Sequence, residues 1–117
     1  MTIAQEGAIR NRVARGIEYL EKEVGKGWWR QIKVTKLDMN DVNVCIAGQL
    51  FGDYFSAPFF GSVFNDDYNE DAGDKKGVSF GMQTPSWAFN SVRISRRDYF
   101  EALQVEWVKK IAVLRKG

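Results

Sequence analysis

Ile9, Val13, Ile17, Leu20 and Val24 recur at spacings of four, four, three and four, the period of one apolar helix face. Arg10, Arg12, Arg15, Glu18, Glu21 and Lys22 fill the other face. Thr2 and Gln5 stand at the capping-box spacing, which predicts a start near Ile3. Gly25 and Gly27 supply its end. The same logic applies near the other terminus. Phe100, Leu103, Trp107, Ile111 and Leu114 follow one another at three, four, four and three, after a Ser95/Asp98 start signal. Lys109, Lys110, Arg115 and Lys116 sit in the last turns, where the helix dipole favours cations.

Between these two amphipathic helices lies Val42 to Phe64, with the sole cysteine, five of the eight phenylalanines and one charge, Asp53. Asp38, Asn40 and Asp41 are N-cap candidates for a second helix from about Asp41 to Ser56. It is apolar almost all round, the mark of a buried central helix. Cys45, Gly48, Gly52 and Ser56 would form one flat face for close backbone approach. Pro58 breaks it, and Phe59, Phe60, Val63 and Phe64 read as a short second piece. Residues 65–77 are polar and glycine-containing, which predicts a surface loop. Val78-Ser79-Phe80 and Val92-Arg93-Ile94 alternate and predict a small hairpin. The expected architecture is a single α-rich α+β domain over residues 1–117. Its central helix packs between the terminal ones, beside a short β-hairpin.

An apolar fraction of 44% is that of a globular chain. Net charge is only +2, but it is segregated: residues 1–36 carry +4, residues 37–74 carry −8 with no Lys or Arg, and residues 75–117 carry +6. The acidic middle either packs between the basic ends or leaves surfaces for partners, and packing is the preferred reading. Histidine is absent, which removes the commonest general base and zinc ligand. A single cysteine and the lack of an apolar leader at the N-terminus fit a cytoplasmic protein. Val42–Phe64, at 23 residues, is long enough to cross a membrane. However, Asn43, Gln49, Asp53 and Pro58 interrupt it, and a central aspartate alone costs about 2.5–3.5 kcal/mol. No membrane association is expected.

Cys45 has no histidine to activate it and reads as core filler. Asp53, with Gln49 and Tyr54 as polar neighbours, is either a buried site that holds an arginine or a ligand, or a residue facing solvent. Asp67, Asn69 and Asp71 begin like a calcium loop, but Ala72 and Val78 occupy the positions that require glycine and glutamate. That match fails, although weak divalent binding within residues 65–76 stays open. Trp28, Trp29 and Arg30, with Lys33, form an aromatic–basic cluster of the type that anchors interfaces or stacks on bases. Arg93, Arg96 and Arg97 are the densest basic group and either bind an anion or pair with the acidic middle, the preferred reading.

Gly27, Trp29, Arg30 and Ile32, then Leu37-Asp38-Met39, then Cys45, Ile46, Gly48-Gln49-Leu50-Phe51-Gly52 and Tyr54 carry a pattern. It resembles a group of small proteins of actinobacteria and their bacteriophages that has no assigned chemistry. Ser79-Phe80-Gly81 and Trp107 correspond to a later element of that group, while the lysine richness and the stretch 82–94 depart from it. The resemblance implies a phage or prophage setting. With no catalytic constellation in the chain, the expected function is that of a non-enzymatic accessory protein. It needs no cofactor, and acts by protein–protein interaction, for instance by inhibiting a host or defence protein. The alternative is a nucleic-acid or nucleotide binder using the basic and aromatic residues, against which the acidic block of −8 counts.

Overall fold

A computed structural model describes residues 2–85 and 95–117. These residues form four α-helices: α1 Ile3–Glu23, α2 Ile46–Phe51, α3 Glu70–Ser79 and α4 Arg96–Lys116. Short 3-10 turns at Trp28–Gln31, Val34–Lys36, Tyr54–Ser56 and Pro58–Phe60 connect them. No strand occurs among the described residues. The helical part of the expected class holds, and the β part has no support among the described residues.

Both terminal helices begin where their caps predict. Thr2 Oγ1 accepts from the Gln5 N–H while Gln5 Oε1 accepts from the Thr2 N–H, at 3.1 and 2.8 Å. Ser95 Oγ accepts from the Asp98 N–H at 3.0 Å. α1 buries Ile9, Val13, Gly16 and Leu20. α4 buries Tyr99, Phe100, Leu103, Glu106, Trp107 and Ile111. The two helices pack directly on each other. Gly16 lets α1 close on both the end of α3 and α4, since a Cβ there would lie 2.2 Å from the Phe80 carbonyl oxygen and 2.9 Å from the Trp107 ring. Trp107 in turn stands edge-on to Trp28 at 5.8 Å and donates its Nε1–H to the Gly81 carbonyl at 2.8 Å.

The long central helix is not formed. Asp38 and Asp41 turn their carboxylates onto the N–H groups of Asn40 and Asn43, two residues on, and so make local turns instead of capping a helix. Cys45 is the actual N-cap, its Sγ accepting from the Gly48 N–H at 3.3 Å. Only six helical residues follow before Gly52, at φ +98°, ends α2. Tyr54 then bonds back to the Val42 carbonyl at 2.8 Å, so the chain doubles over itself. Gly48 does permit close packing, but against the backbone of its own segment: a Cβ would meet Val42 O and Asn43 C at 2.5 Å. Cys45, Gly48, Gly52 and Ser56 therefore share no flat helix face. α2 packs on the 3-10 turns of Trp28–Gln31 and Tyr54–Ser56, while α1 and α4 meet each other.

Residues 65–77 are also corrected, because Glu70–Ser79 is helix α3. Asn69 caps it by accepting from the Ala72 N–H, and Glu70 and Asp71 occupy its first turn. Gly73 and Gly77, one turn apart, lie against the Phe60 ring and the Tyr54 hydroxyl, where a Cβ would come within 2.0 and 2.2 Å. Glycine's cost of about 1 kcal/mol per helical position is offset by these aromatic contacts. Val78 and Ser79, the first arm of the expected hairpin, are the last turn of α3. The helix ends in a Schellman motif, with Met82 N–H on Gly77 O, Gly81 N–H on Val78 O, and Gly81 at φ +68°. The second arm, Val92–Ile94, lies outside the described residues.

Buried phenols make the fold sensitive to alkali. Burial, and then the nearby Glu23, push the Tyr19 hydroxyl up to about 12. Burial, and then its bond to Asp74, raise Tyr54 further in the same direction. Both groups stay protonated in the fold at pH values where the unfolded chain ionises them, near 10. Their contribution is complete below pH 10 and is lost as pH rises through the folded values. Urea midpoints should therefore fall steadily above pH 10, and Tyr54→Phe should make that fall shallower. A midpoint flat to pH 11.5 would contradict this.

Candidate interaction loop

Gly61 to Asn69 crosses from the Pro58–Phe60 turn to α3 and is held by its own hydrogen bonds. The Ser62 N–H donates to Asp67 Oδ1 at 2.6 Å, and the Asp67 N–H returns to the Ser62 carbonyl at 3.2 Å. Ser62 Oγ accepts from the Phe64 N–H at 3.1 Å, and the Asn69 N–H closes the loop on Phe60 O at 2.9 Å. Two residues take left-handed backbone, Gly61 at φ +83° and Asp66 at φ +60°. Gly61 cannot be replaced cheaply, since a Cβ would lie 2.4 Å from the Asp67 carbonyl oxygen.

This closed loop presents Val63 and Phe64 outward, 70% and 95% exposed. Tyr68 stacks on Phe60 at 5.9 Å, and Phe55 packs on the same ring at 5.5 Å. Both keep more than a third of their surface in solvent. Asp66, Asp67, Glu70 and Asp71 flank these side chains and are exposed. Partial burial and then the carboxylates of Glu70, Asp53 and Asp74 raise the Tyr68 hydroxyl above its ordinary range. The arrangement offers an aromatic anchor on fixed backbone next to exposed carboxylates.

The residues singled out in the sequence occupy other places. Trp28 is buried against Trp107. Trp29 is half-buried, with the Arg30 guanidinium 4.8 Å above its ring, and its carbonyl accepts from Arg115 Nη2 at 3.2 Å. Arg96 lies over the Phe100 ring at 5.5 Å, and Arg97 pairs with Glu101 at 3.2 Å rather than with the acidic middle. Arg93 lies outside the described residues. Arg96 and Arg97 start α4 while Arg115, beside Trp29, ends it. At 1.5 Å per residue the two groups stand about 28 Å apart along the helix. They do not form one surface.

Gln49, Asp53 and Tyr54 each turn to a different partner. Gln49 accepts from the Lys33 N–H at 2.6 Å and donates to the carbonyls of Lys33 and Val44, tying two stretches of chain together. Asp53 is half-buried, and its carboxylate accepts from the Ser56 N–H and hydroxyl at 3.0 and 3.1 Å, capping the Tyr54–Ser56 turn. Tyr54 is buried and donates to Asp74 Oδ1 at 2.9 Å. Burial raises the Cys45 thiol as well, away from thiolate reactivity.

Among the described residues no three His, Cys, Asp or Glu side chains are grouped closely enough to hold a metal ion. Nor is any helix among them long and apolar enough to cross a membrane. Sequence reading passed over Phe64 because it was placed at the tail of a buried run. The available signal was Gly61 before it and Asn65-Asp66 after it, turn residues that enclose an apolar pair. No family model, curated protein or solved structure matches the chain.

Proposed function

We propose that this chain is a non-enzymatic interaction protein that acts in the cytoplasm and inserts Phe64 and Val63 into a pocket of a protein partner. One observation carries the reading: a phenylalanine 95% exposed at the tip of a loop fixed by its own hydrogen bonds. Fully burying such a side chain is worth about 1.5–3 kcal/mol. Displaying it on ordered backbone reduces the entropy lost on binding. Aromatic anchors of this type dominate interface energetics. The resemblance to small actinobacterial and phage proteins supports a phage or prophage accessory role, with a host or defence protein as the target. The nucleic-acid reading has less support, because the tryptophans and the Arg96/Arg97 pair sit at opposite ends of α4.

Photo-crosslinking tests the reading in an actinobacterial host. With p-benzoyl-phenylalanine in place of Phe64, one discrete protein adduct is expected. The same group in place of Val113, 66% exposed on α4, should give none. Matching diffuse adducts from both positions would reject the reading.

A further inference from the structure

No ion pair among the described residues joins the basic ends to the acidic middle. Among the described residues the ion pairs are Arg97–Glu101 and Glu106 with Lys109 and Lys110, all within α4. The eight carboxylates of residues 37–74, which contain no Lys or Arg, pair with none of those cations. Several have structural duties: Asp38, Asp41, Asp53 and Asp67 accept backbone N–H groups and Asp74 accepts the Tyr54 hydroxyl. Asp66, Glu70 and Asp71 have no such bond and are exposed. They stand beside Val63, Phe64 and Tyr68 in the chain.

From this juxtaposition we infer that the occupant of the Phe64 loop is a protein surface with an apolar pocket rimmed by Lys or Arg. The inference rests on the interaction reading above and adds the chemistry of the partner. Charge complementarity selects it. An anionic lipid surface and a nucleic-acid backbone would both be repelled by Asp66, Glu70 and Asp71. A neutral pocket would bury the ring but leave three carboxylates to be desolvated without compensation at its rim. A basic rim answers those carboxylates, orients the encounter and makes association salt-dependent.

The test uses the purified full chain and fluorescent model peptides that set a leucine seam between charged flanks. The panel is a Lys/Leu peptide, a Glu/Leu peptide of the same pattern and a Ser/Leu peptide, with anionic phosphatidylserine vesicles and single-stranded DNA as further probes. The Lys/Leu peptide alone is expected to bind. Raising NaCl from about 0.1 to about 1 M, which shortens the Debye length from about 10 to about 3 Å, should weaken it at least tenfold. Phe64→Ser should weaken it roughly tenfold or more with the melting temperature unchanged, because the ring contributes almost nothing to the folded core. The near-isosteric triple variant Asp66→Asn/Glu70→Gln/Asp71→Asn should weaken it similarly and remove most of the salt dependence. Equal binding of the Glu/Leu peptide, binding of the vesicles or DNA, or indifference to Phe64→Ser would overturn the inference. So would a concentration-dependent dimer in sedimentation that Phe64→Ser abolishes, since the occupant would then be a second copy. A discrete position-64 adduct that survives high salt would overturn the basic rim while leaving the interaction reading intact.

Discussion

Trp107→Ala should lower unfolding free energy by about 3–5 kcal/mol, the range for removing a fully buried large aromatic. The side chain is completely enclosed and joins three elements. Its ring covers Gly16 of α1, its edge meets Trp28, and its indole N–H holds Gly81, the residue that ends α3. Truncation therefore opens a cavity at the α1–α4 contact and leaves the Gly81 carbonyl unsatisfied. A domain of this size has about 5–15 kcal/mol in total, so the loss is a large share of it. Trp107→Phe keeps most of the apolar contact and loses the hydrogen bond, for which about 1–3 kcal/mol is expected. Urea titration followed by circular dichroism separates the two. Equal losses for alanine and phenylalanine would mean that the hydrogen bond, not the packing, dominates.

Two glycines of α1 should respond to alanine with opposite signs. Each gains about 1 kcal/mol of helix propensity on Gly→Ala substitution. At Gly7 the nearest atom to a new Cβ, the tip of Arg10, is 3.7 Å away, ordinary contact distance, so the gain is kept. At Gly16 the new carbon would stand 2.2 Å from a backbone carbonyl and 2.9 Å from the Trp107 ring. That carbonyl belongs to Phe80 at the end of α3 and cannot rotate aside, so α1 must move off it as well as off the Trp107 ring. Overpacking of this type costs up to about 3 kcal/mol and occasionally more, which at so close a backbone contact outweighs propensity and leaves a net loss of about 1–2 kcal/mol. Melting curves of G7A and G16A should thus move up and down respectively. A stabilised G16A would show that the packing of α1 on Phe80 and Trp107 is loose.

The terminal helices were legible because their evidence is local and repeated. Five apolar positions at helical spacing in each, with a cap before them, leave little else for the chain to do. Val42–Phe64 misled because an apolar stretch with no polar face fits a buried helix and a chain of buried turns equally well. Local decisions then separated the two: Asp41 spends its carboxylate on Asn43, and Gly52 adopts a left-handed backbone. The opposite error hid α3. Gly73 and Gly77 look like loop residues until Phe60 and Tyr54, each more than ten residues earlier, are seen to need the space. Val78 to Phe80 alternates over too few residues to distinguish a strand from a last helical turn. The exposed loop was hardest, since the outward aim of Phe64 depends on positive φ at Gly61 and Asp66, a backbone property that composition does not express.

Arg115 Nη2 donates to the carbonyls of Trp29 and Ile32, so a side chain in the last turn of α4 fastens a turn more than eighty residues earlier. Together with the direct seating of α4 on α1, this has a consequence for biosynthesis. Elongation at about 5–20 residues per second leaves α1 without its principal partner for several seconds. During that interval α1 has α3 and the turn after it to pack against, but not the α4 face that completes its burial. Cooperative folding of this domain must then await the emergence of α4, so early synthesis yields no complete core.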